Sequence, residues 1–311
     1  MTDEAPATTI EGRVAQLLSL LDVRASGELC FTGSRQPGGQ GRVFGGQVIA
    51  QGLMAAMRTV EENRILHSLH CSFMRAGDEE LEITYLVRPD FDGGSFSTRR
   101  IIAEQVGRPI LTMTASFHKL EPGFAHQDAM PDVPPPEDLL NENQRIEAET
   151  DPATAALMTR FQRARPIEIR PVEDRSFLNP SPAPAFSHAW MRLGAPLSDL
   201  PLAQALAVNG DDANLHRAIL AYASDMMLLG TSLLPHGVNW RTAGMMSASL
   251  DHAVWLHDDF RIDDWLLYAT DSPWAGRGRG FNRGRFYTRD GRLVASCAQE
   301  GLIRLRTPKA G

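Results

Sequence analysis

Two segments of the chain resemble one another. Residues 95–117 have the sequence SFSTRRIIAEQVGRPILTMTASF, and residues 280–301 have the sequence GFNRGRFYTRDGRLVASCAQEG. In each, β-prone residues flank a short glycine turn, which predicts an antiparallel hairpin. Aligned on that turn, Gln299 lies opposite Ala115. The repeat predicts a duplicated fold, with one working site in the copy that keeps the glutamine and a structural partner in the other.

The rest of the chain extends the duplication. Each copy follows a strongly apolar segment, at 47–60 and 213–235, of the kind that forms a helix enclosed by other structure. Helices and strands do not alternate as they do in parallel βαβ units, so we predict an α+β fold in which antiparallel strands wrap around a central helix, twice. Strands are expected near 29–32, 66–74, 81–88, 95–105, 109–118, 190–193, 245–257, 264–272, 279–288 and 292–305, with a short first helix at 11–22.

Composition divides the chain into three parts. More than half of its 20 prolines fall between Pro122 and Pro184, mixed with acidic and polar residues. We therefore predict an N-terminal repeat at 12–120, a proline-rich connector at 121–185 and a C-terminal repeat at 186–306. The connector is expected to cross the surface, with a helix near 151–163.

Charge and cysteine content limit the possible partners. The chain has 311 residues and a net charge of −7, without a long basic run, which argues against nucleic-acid binding. Its three cysteines lie in apolar, strand-like runs, as reduced core residues do. The first residues show no signal peptide, and the sequence shows no apolar run of about 20 residues. We expect a cytoplasmic protein with no membrane partner.

Asp225 is the side chain most suggestive of chemistry. It lies in the second apolar segment, where helical spacing surrounds it with Ala221, Tyr222, Leu228 and Leu229. A carboxylate on an apolar face costs several kcal/mol unless it is hydrogen-bonded or takes part in a reaction. An acid that reaches solvent through a local gap, or pairs with a nearby base, remains the alternative.

Gln299 is the second candidate. Strand alternation places it on one face with Ala295 and Cys297, and these small residues leave room for the helix. Its amide would then point toward the helix that carries Asp225. The corresponding helix of the first half contains no acid, so both polar residues belong to the second half alone. A structural glutamine that binds a backbone group is the alternative.

Other signals point to no known catalytic motif. Ser249 and Asp251 are expected on one face of a strand and His252 on the other, so they cannot form a triad. No Gly-x-Ser-x-Gly elbow occurs, and no histidine pair has convincing metal spacing, so we expect no metal. Three arginines, Arg277, Arg279 and Arg283, are candidates for phosphate binding at the mouth of a site, with a solvated basic edge as the alternative.

Several motifs together resemble the acyl-CoA thioesterase II family. They are RVFGGQV at 42–48, HSLHCSFMRAGD at 67–78, TASF at 114–117, YASD at 222–225, LDHAVW at 250–255 and VASCAQEG at 294–301. The resemblance covers about residues 12–306 in order. It implies a double-hotdog fold, in which one chain supplies two helix-wrapped sheets.

The resemblance also implies roles for residues. Asp225 and Gln299 occupy two of the family's three catalytic positions, and Ser249 occupies the third, where the family usually has threonine. Asp225 would accept a proton from water while Ser249 and Gln299 orient that water, with no cofactor, metal or covalent intermediate. The substrate would be a fatty acyl-CoA in lipid metabolism, with the acyl chain in an apolar channel. Met226, Met227 and Met245 are candidate lining residues for that channel, or ordinary core packing.

Two other functions remain open at this point. A hotdog hydratase or dehydratase would use an Asp–His pair, but no histidine follows Asp225 before His236. A non-catalytic acyl-CoA-binding protein is the other alternative, because Ser249 departs from the family pattern. Hotdog sheets often associate by their edges, so we expect a homodimer or homotetramer.

Overall fold

The described residues of the first half form two helices and six strands. The computed structural model describes residues 9–36, 41–148, 151–152, 154–156, 165–176, 179–207 and 212–306. The elements of the first half are α1 (Ile10–Leu21), α2 (Gly45–Met57), β1 (Arg24–Gly27), β2 (Cys30–Gly33), β3 (Ile65–Phe73), β4 (Ile83–Asp92), β5 (Phe96–Gln105) and β6 (Arg108–His118). The predicted helices and strands of this half are confirmed to within a few residues, and β1 is an additional strand.

In the described part of the remainder, three α-helices and seven strands have defined bounds. These elements are α3 (Glu142–Glu147), β7 (Ile167–Pro171), β8 (Phe186–Leu193), α4 (Pro201–Leu206), α5 (Ala213–Ser224), β9 (Met245–Ser249), β10 (Asp251–Leu256), β11 (Leu266–Gly276), β12 (Arg279–Thr288) and β13 (Leu293–Leu305). Short 3₁₀ helices lie at Pro136–Asp138, Leu197–Asp199 and Leu228–His236. The second half thus repeats the plan of the first.

All these strands belong to one antiparallel sheet. Its order is β1-β2-β4-β5-β6-β3-β10-β13-β12-β11-β8-β7, and β9 pairs with β13. The two halves meet at β3 and β10, where Ser68 to Ser72 pair with Asp251 to Trp255. Helices α2 and α5 pack against each other and against the sheet. We call the side of the sheet that faces them the inner face. The predicted α+β fold, a sheet wrapped around helices, is confirmed.

Helix α2 is enclosed as its sequence predicts. Every residue from Gly46 to Met57 is buried, because the helix is apolar nearly all round. Gln51, one of its two glutamines, is fully hydrogen-bonded: Nε2 donates to the carbonyls of Leu20 and Ser34, and Oε1 accepts from the Tyr85 hydroxyl. This glutamine is therefore structural.

The predicted helix over 213–235 is wrong in one respect. Helix α5 ends at Ser224, and the chain continues through Met227, which adopts left-handed backbone angles with φ of 65°, into the 3₁₀ helix Leu228–His236. Apolar residues on both sides of this break made the segment resemble one helix. As a whole, Ala213–His236 is long and apolar enough to cross a membrane, but it is mostly buried in the protein core.

The proline-rich connector does more than cross the surface. Its strand β7 pairs with β8 and extends the sheet, and the Trp190 indole donates to the carbonyl of Pro134. Met130, Val133 and Leu139 of the connector pack on a cluster built around Trp190. The helix expected near 151–163 lies largely outside the described residues.

Tyrosine hydroxyls fasten the two central helices to the sheet. Tyr268 on β11 donates to the carbonyl of Ser224 at the end of α5, at 2.7 Å, and Tyr85 on β4 donates to Gln51 on α2. We expect Tyr268→Phe and Tyr85→Phe each to lower the free energy of unfolding by about 1–2 kcal/mol, because each leaves a buried acceptor without its donor. Urea unfolding measures this, and unchanged midpoints would contradict it.

Candidate active site

Asp225 lies where α5 ends, at the break in the second apolar segment. It is the first residue after the helix, with φ −79° and ψ −9°. The left-handed turn at Met227 then directs the chain away from the helix axis. The carboxylate is therefore presented at a helix end, beside the start of α2, and does not lie midway along a helix face as the sequence suggested.

Two consecutive glycines allow α2 to approach Asp225. A Cβ on Gly45 would lie 2.7 Å from Asp225 Oδ2, and one on Gly46 would lie 2.4 Å from the carbonyl oxygen of Tyr222. Neither position has room for a side chain. The Gly46 N–H donates to Asp225 Oδ2 at 2.9 Å. The first half thus contributes a backbone donor that sequence reasoning missed. The consecutive glycines Gly45 and Gly46, at the start of the first apolar helix, are the sequence feature that could have indicated this donor.

Gln299 connects the other two candidate side chains. It lies on the inner face of β13 with 0% of its surface exposed. Its Nε2 donates to Asp225 Oδ1 at 2.6 Å and to Ser249 Oγ at 3.2 Å. The structure therefore brings together all three residues that the sequence pointed to. We call Asp225, Ser249 and Gln299 the trio.

A bulge decides where Ser249 points. Ser249 pairs with Gly301 and Ala253 pairs with Ala298, so four steps along β9 and β10 correspond to three along β13. The extra residue reverses the alternation of faces. Ser249 consequently lies on the inner face while Asp251 is exposed, and the expectation that these two share a face is wrong.

Burial controls the ionisation of Asp225 and of the titratable side chains near it. Part of Asp225 reaches solvent, yet burial raises the pKa of its carboxyl to about 6, against hydrogen bonds from Gln299 and Gly46 that lower it. Burial likewise raises the pKa of Tyr222 and of Cys297 to about 12, so both are neutral near this pH. Asp225 can therefore act as a base at neutral pH.

Apolar side chains surround the trio. A Cβ on Gly45 would lie 2.9 Å from the Phe73 ring, which places that ring near Asp225. The rings of Phe44 and Tyr222 meet edge to face, with centroids 5.0 Å apart. Among the methionines, Met226 is buried in the core and Met227 packs against it, both directly after Asp225. Met245 lies partly buried on β9, four residues before Ser249. Their role as channel lining stays a prediction.

The three arginines are not brought to the trio. Arg279 and Arg283 occupy exposed positions of β12 that alternate with its buried, inner-face residues. Arg279 pairs with Glu300 at 3.1 Å, and Arg283 pairs with Asp271 at 2.6 Å. Arg277 lies exposed in the turn before β12, with φ of 50°. A phosphate-binding role for these arginines stays a prediction. On β12, Arg279 and Arg283 point away from the inner face, where the trio lies.

Two family models match the chain. The model described as acyl-CoA thioesterase matches residues 194–302, and the model of the acyl-CoA thioesterase N-terminal domain matches residues 34–118. The chain is 40% identical to acyl-coenzyme A thioesterase 8 of Homo sapiens, over 85% of this chain and 81% of that protein. The chain belongs to the acyl-CoA thioesterase family.

Other members support the same assignment. The chain is 36% identical to acyl-CoA thioesterase 2 of Haemophilus influenzae, over 93% of this chain and 96% of that protein. A crystal structure of acyl-CoA thioesterase II TesB2 from Mycobacterium marinum is 38% identical, with a TM-score of 0.73, and the match covers 94% of this chain and 99% of that one.

More distant structures support the fold alone. A protein of unknown function with a hotdog fold, from Alicyclobacillus acidocaldarius, is 18% identical with a TM-score of 0.70, and the match covers 94% of this chain and 98% of that one. The predicted double-hotdog fold of this acyl-CoA thioesterase family member is confirmed.

The raised pKa of Asp225 has a consequence for stability. Because the carboxyl pKa rises from 3.8 to about 6 on folding, ionisation of Asp225 costs stability as the pH increases through about 6. We expect Asp225→Asn to be more stable than the wild type near pH 8, by about 1–3 kcal/mol, and to lose this advantage near pH 4. Urea unfolding at the two pH values measures it. An equal difference at both would contradict the assigned ionisation.

Proposed function

We propose that Asp225, Ser249 and Gln299 hold and activate the water that hydrolyses an acyl-CoA thioester. As a member of its family, the chain is an acyl-CoA thioester hydrolase. The observation that carries the proposal is the double contact of Gln299, whose one amide nitrogen joins the Asp225 carboxylate to the Ser249 hydroxyl. These contacts place a base and two hydrogen-bonding groups around one point, as water activation requires.

The reaction balances with these residues and water. A water oxygen bound at the trio attacks the thioester carbonyl carbon, and Asp225 takes the proton that the water loses. The tetrahedral intermediate collapses with cleavage of the carbon–sulfur bond, and the proton returns to the departing CoA sulfur. The Ser249 hydroxyl can donate to the attacking oxygen, while Gln299 Nε2 keeps Ser249 and Asp225 in place around it. This positioning lowers the entropic part of the barrier.

The start of α2 supports the charge that develops on the carbonyl oxygen. Helix α2 begins at Gly45, and its N-terminal end carries the positive end of the helix dipole. Since the Gly46 N–H is directed at Asp225, this end faces the trio. A carbonyl placed beside Asp225 would develop its negative charge near that positive end, which stabilises the intermediate.

The alternative functions are not favoured. The named relatives are thioesterases, and no histidine follows Asp225 in the chain before His236, as the Asp–His pair of a hydratase would require. The buried His252 near this helix end bonds the Ser224 hydroxyl instead. Ser249 keeps the hydroxyl of the threonine usual in the family and contacts Gln299, as the water-binding role needs. For the substrate we propose a fatty acyl chain lying along the apolar surface of Phe73, Met226, Met227 and Met245, as part of lipid metabolism.

The acid limb of the activity profile should report Asp225. We expect Asp225→Asn to lower kcat at least about 100-fold with little change in substrate binding, because it removes the base. In the wild type, kcat/KM should fall as the pH decreases through about 6, where the carboxylate of the free enzyme gains a proton. Release of free CoA thiol from a series of saturated acyl-CoAs measures both.

A matched substitution controls for nonspecific effects. Asp128→Asn removes an exposed acid that pairs with Arg285 on the surface, and it should leave kcat within about twofold. Turnover by Asp225→Asn at the wild-type rate would remove Asp225 from the mechanism. Binding of acyl-CoA without release of thiol by the wild type would instead favour a non-catalytic binding protein.

We also propose a cytoplasmic homodimer or homotetramer. The outer face of the sheet at the joint of the halves carries small side chains, Thr114, Ala253 and Ala298, around a depression of about 480 Å³. Trp255 beside it is 37% exposed, so a second sheet can approach closely. Light scattering should give at least twice the chain mass of 34.2 kDa, and a monomer independent of concentration would contradict this. Recovery in the membrane fraction of its cell would contradict the cytoplasmic placement.

A further inference from the structure

Asn282 is a buried amide beside the trio that has no assigned role. It lies on the inner face of β12 with 0% of its surface exposed. Its register partner on the neighbouring strand is Gln299, so the two amide side chains lie side by side. Within the described residues, neither Oδ1 nor Nδ2 of Asn282 has a hydrogen-bond partner, and neither does Gln299 Oε1.

The corresponding pair of positions in the first half shows how a buried polar side chain with a structural role is hydrogen-bonded. There Ala115 occupies the place of Gln299, and its register partner is Arg99. Arg99 is equally buried, but its guanidinium donates to the Thr59 hydroxyl and carbonyl and to the carbonyls of Phe91 and Thr98. The second half keeps a buried polar residue at the same place without such partners.

Three unpaired amide atoms at one place indicate a missing partner. Burying an amide without hydrogen bonds is costly, so buried polar groups almost always find protein or water partners. Water fits here because it can accept from Asn282 Nδ2 and donate to Gln299 Oε1 at once, and buried waters typically make two to four such bonds.

The geometry points to Asn282 as a positioning residue that holds Gln299, through a buried water on Gln299 Oε1, in the orientation that directs Nε2 toward Asp225 and Ser249. Gln299 uses Nε2 for both trio contacts, so its amide must not rotate. A half-turn of that amide would place Oε1 against the Asp225 carboxylate, where two acceptors repel each other. Water binding at Oε1 by Asn282 opposes that rotation.

The inference rests on the proposed function of the trio and adds a residue to it. Asn282 does not touch the reacting atoms and acts through Gln299. Its removal should therefore affect turnover more than binding. It should also raise the pH at which Asp225 gains its proton, because the Gln299 bond is one of the two that lower that pKa.

The groups that face Asp225 do not obscure such a shift. Burial raises the pKa of Tyr222 on α5, of Cys297 on β13, of Tyr268 on β11 and of Cys71 on β3, so all four are neutral near pH 6. Burial lowers the pKa of His252 on β10 to about 4, so this side chain is also neutral there. The acid limb of kcat/KM therefore reports the Asp225 carboxyl of the free enzyme.

The first experiment compares Asn282→Leu, which keeps the branched shape and removes both hydrogen-bonding atoms, with Asn282→Ser, which keeps a hydroxyl and leaves room for water. We expect Asn282→Leu to lower kcat about tenfold, to change KM less than about twofold and to move the acid limb to higher pH. Asn282→Ser should retain kcat within about threefold. Should the leucine variant not fold, Asn282→Val makes the same comparison, because it removes both hydrogen-bonding atoms with a smaller side chain and adds no charge near Asp225.

A neighbouring buried residue provides the matched control. Thr270 on β11 is also buried, and its hydroxyl bonds Thr231 and the carbonyl of Ser187. Thr270→Val should lower the unfolding midpoint without moving the acid limb of kcat/KM. An equal shift of the acid limb in this variant would show that loosened packing, and not Asn282, sets the orientation of Gln299.

A double-mutant cycle decides whether Asn282 acts through Gln299. If it does, Asn282→Leu should cause no further loss of kcat in a Gln299→Ala background. A full tenfold loss in that background, or wild-type kcat in Asn282→Leu alone, would overturn the inference. Asp225→Asn, assayed alongside, distinguishes failure of the proposed function from failure of the Asn282 inference. If Asp225→Asn retains activity, the proposed catalytic role of the trio is wrong. If Asp225→Asn is inactive and Asn282→Leu is unaffected, only the positioning role of Asn282 is refuted.

Discussion

The hydrogen bond from the Gly46 N–H to the Asp225 carboxylate is the contact on which the site depends. The donor comes from the first half and the acceptor from the second, so Asp225 has both of its donors only when the two halves are packed together. A carboxylate in this apolar surrounding needs such donors to remain ionised. The absence of side chains at Gly45 and Gly46 permits the approach, because either Cβ would collide with Asp225 or with the α5 backbone. Packing of α2 on α5 and formation of the site are therefore the same event.

The two halves share a fold and differ in how they use buried polar groups. In the first half, the side-chain amide of Gln51 bonds backbone carbonyls and a tyrosine hydroxyl. The guanidinium of Arg99, on the sheet, bonds the hydroxyl and carbonyl of Thr59. In the second half, Asp225 and Gln299 bond each other and leave capacity for water. A duplicated scaffold thus divides the work, with one half holding its polar groups rigidly and the other leaving them available for chemistry.

Sequence patterns predicted the repeated fold because apolar periodicity directly reflects burial. Helix α2 and the hairpins β5–β6 and β12–β13 lie close to their expected positions, and the polar asymmetry at Gln299 pointed to the half that carries the trio. Two local features were hidden. Apolar residues continue through the break after Ser224, so periodicity could not show that Asp225 lies at a helix end. The extra residue between Ser249 and Ala253 reversed the face of Ser249, and such a bulge leaves no mark on alternation.

The connector shows a third limit of prediction from sequence patterns. Ile167 and Ile169 of β7 lie in a proline-rich region, where two alternating residues are too weak a signal for a strand.

At Asp225, burial alone would make the carboxyl too weak an acid to be ionised at neutral pH, whereas many donors would leave it too weak a base. Two donors, the Gly46 N–H and Gln299 Nε2, offset part of the effect of burial and place the pKa at about 6. A base is most effective when its pKa lies just below the working pH, because it is then ionised and still accepts a proton readily. The helix end provides this balance, since a residue midway along α5 could not reach the start of α2.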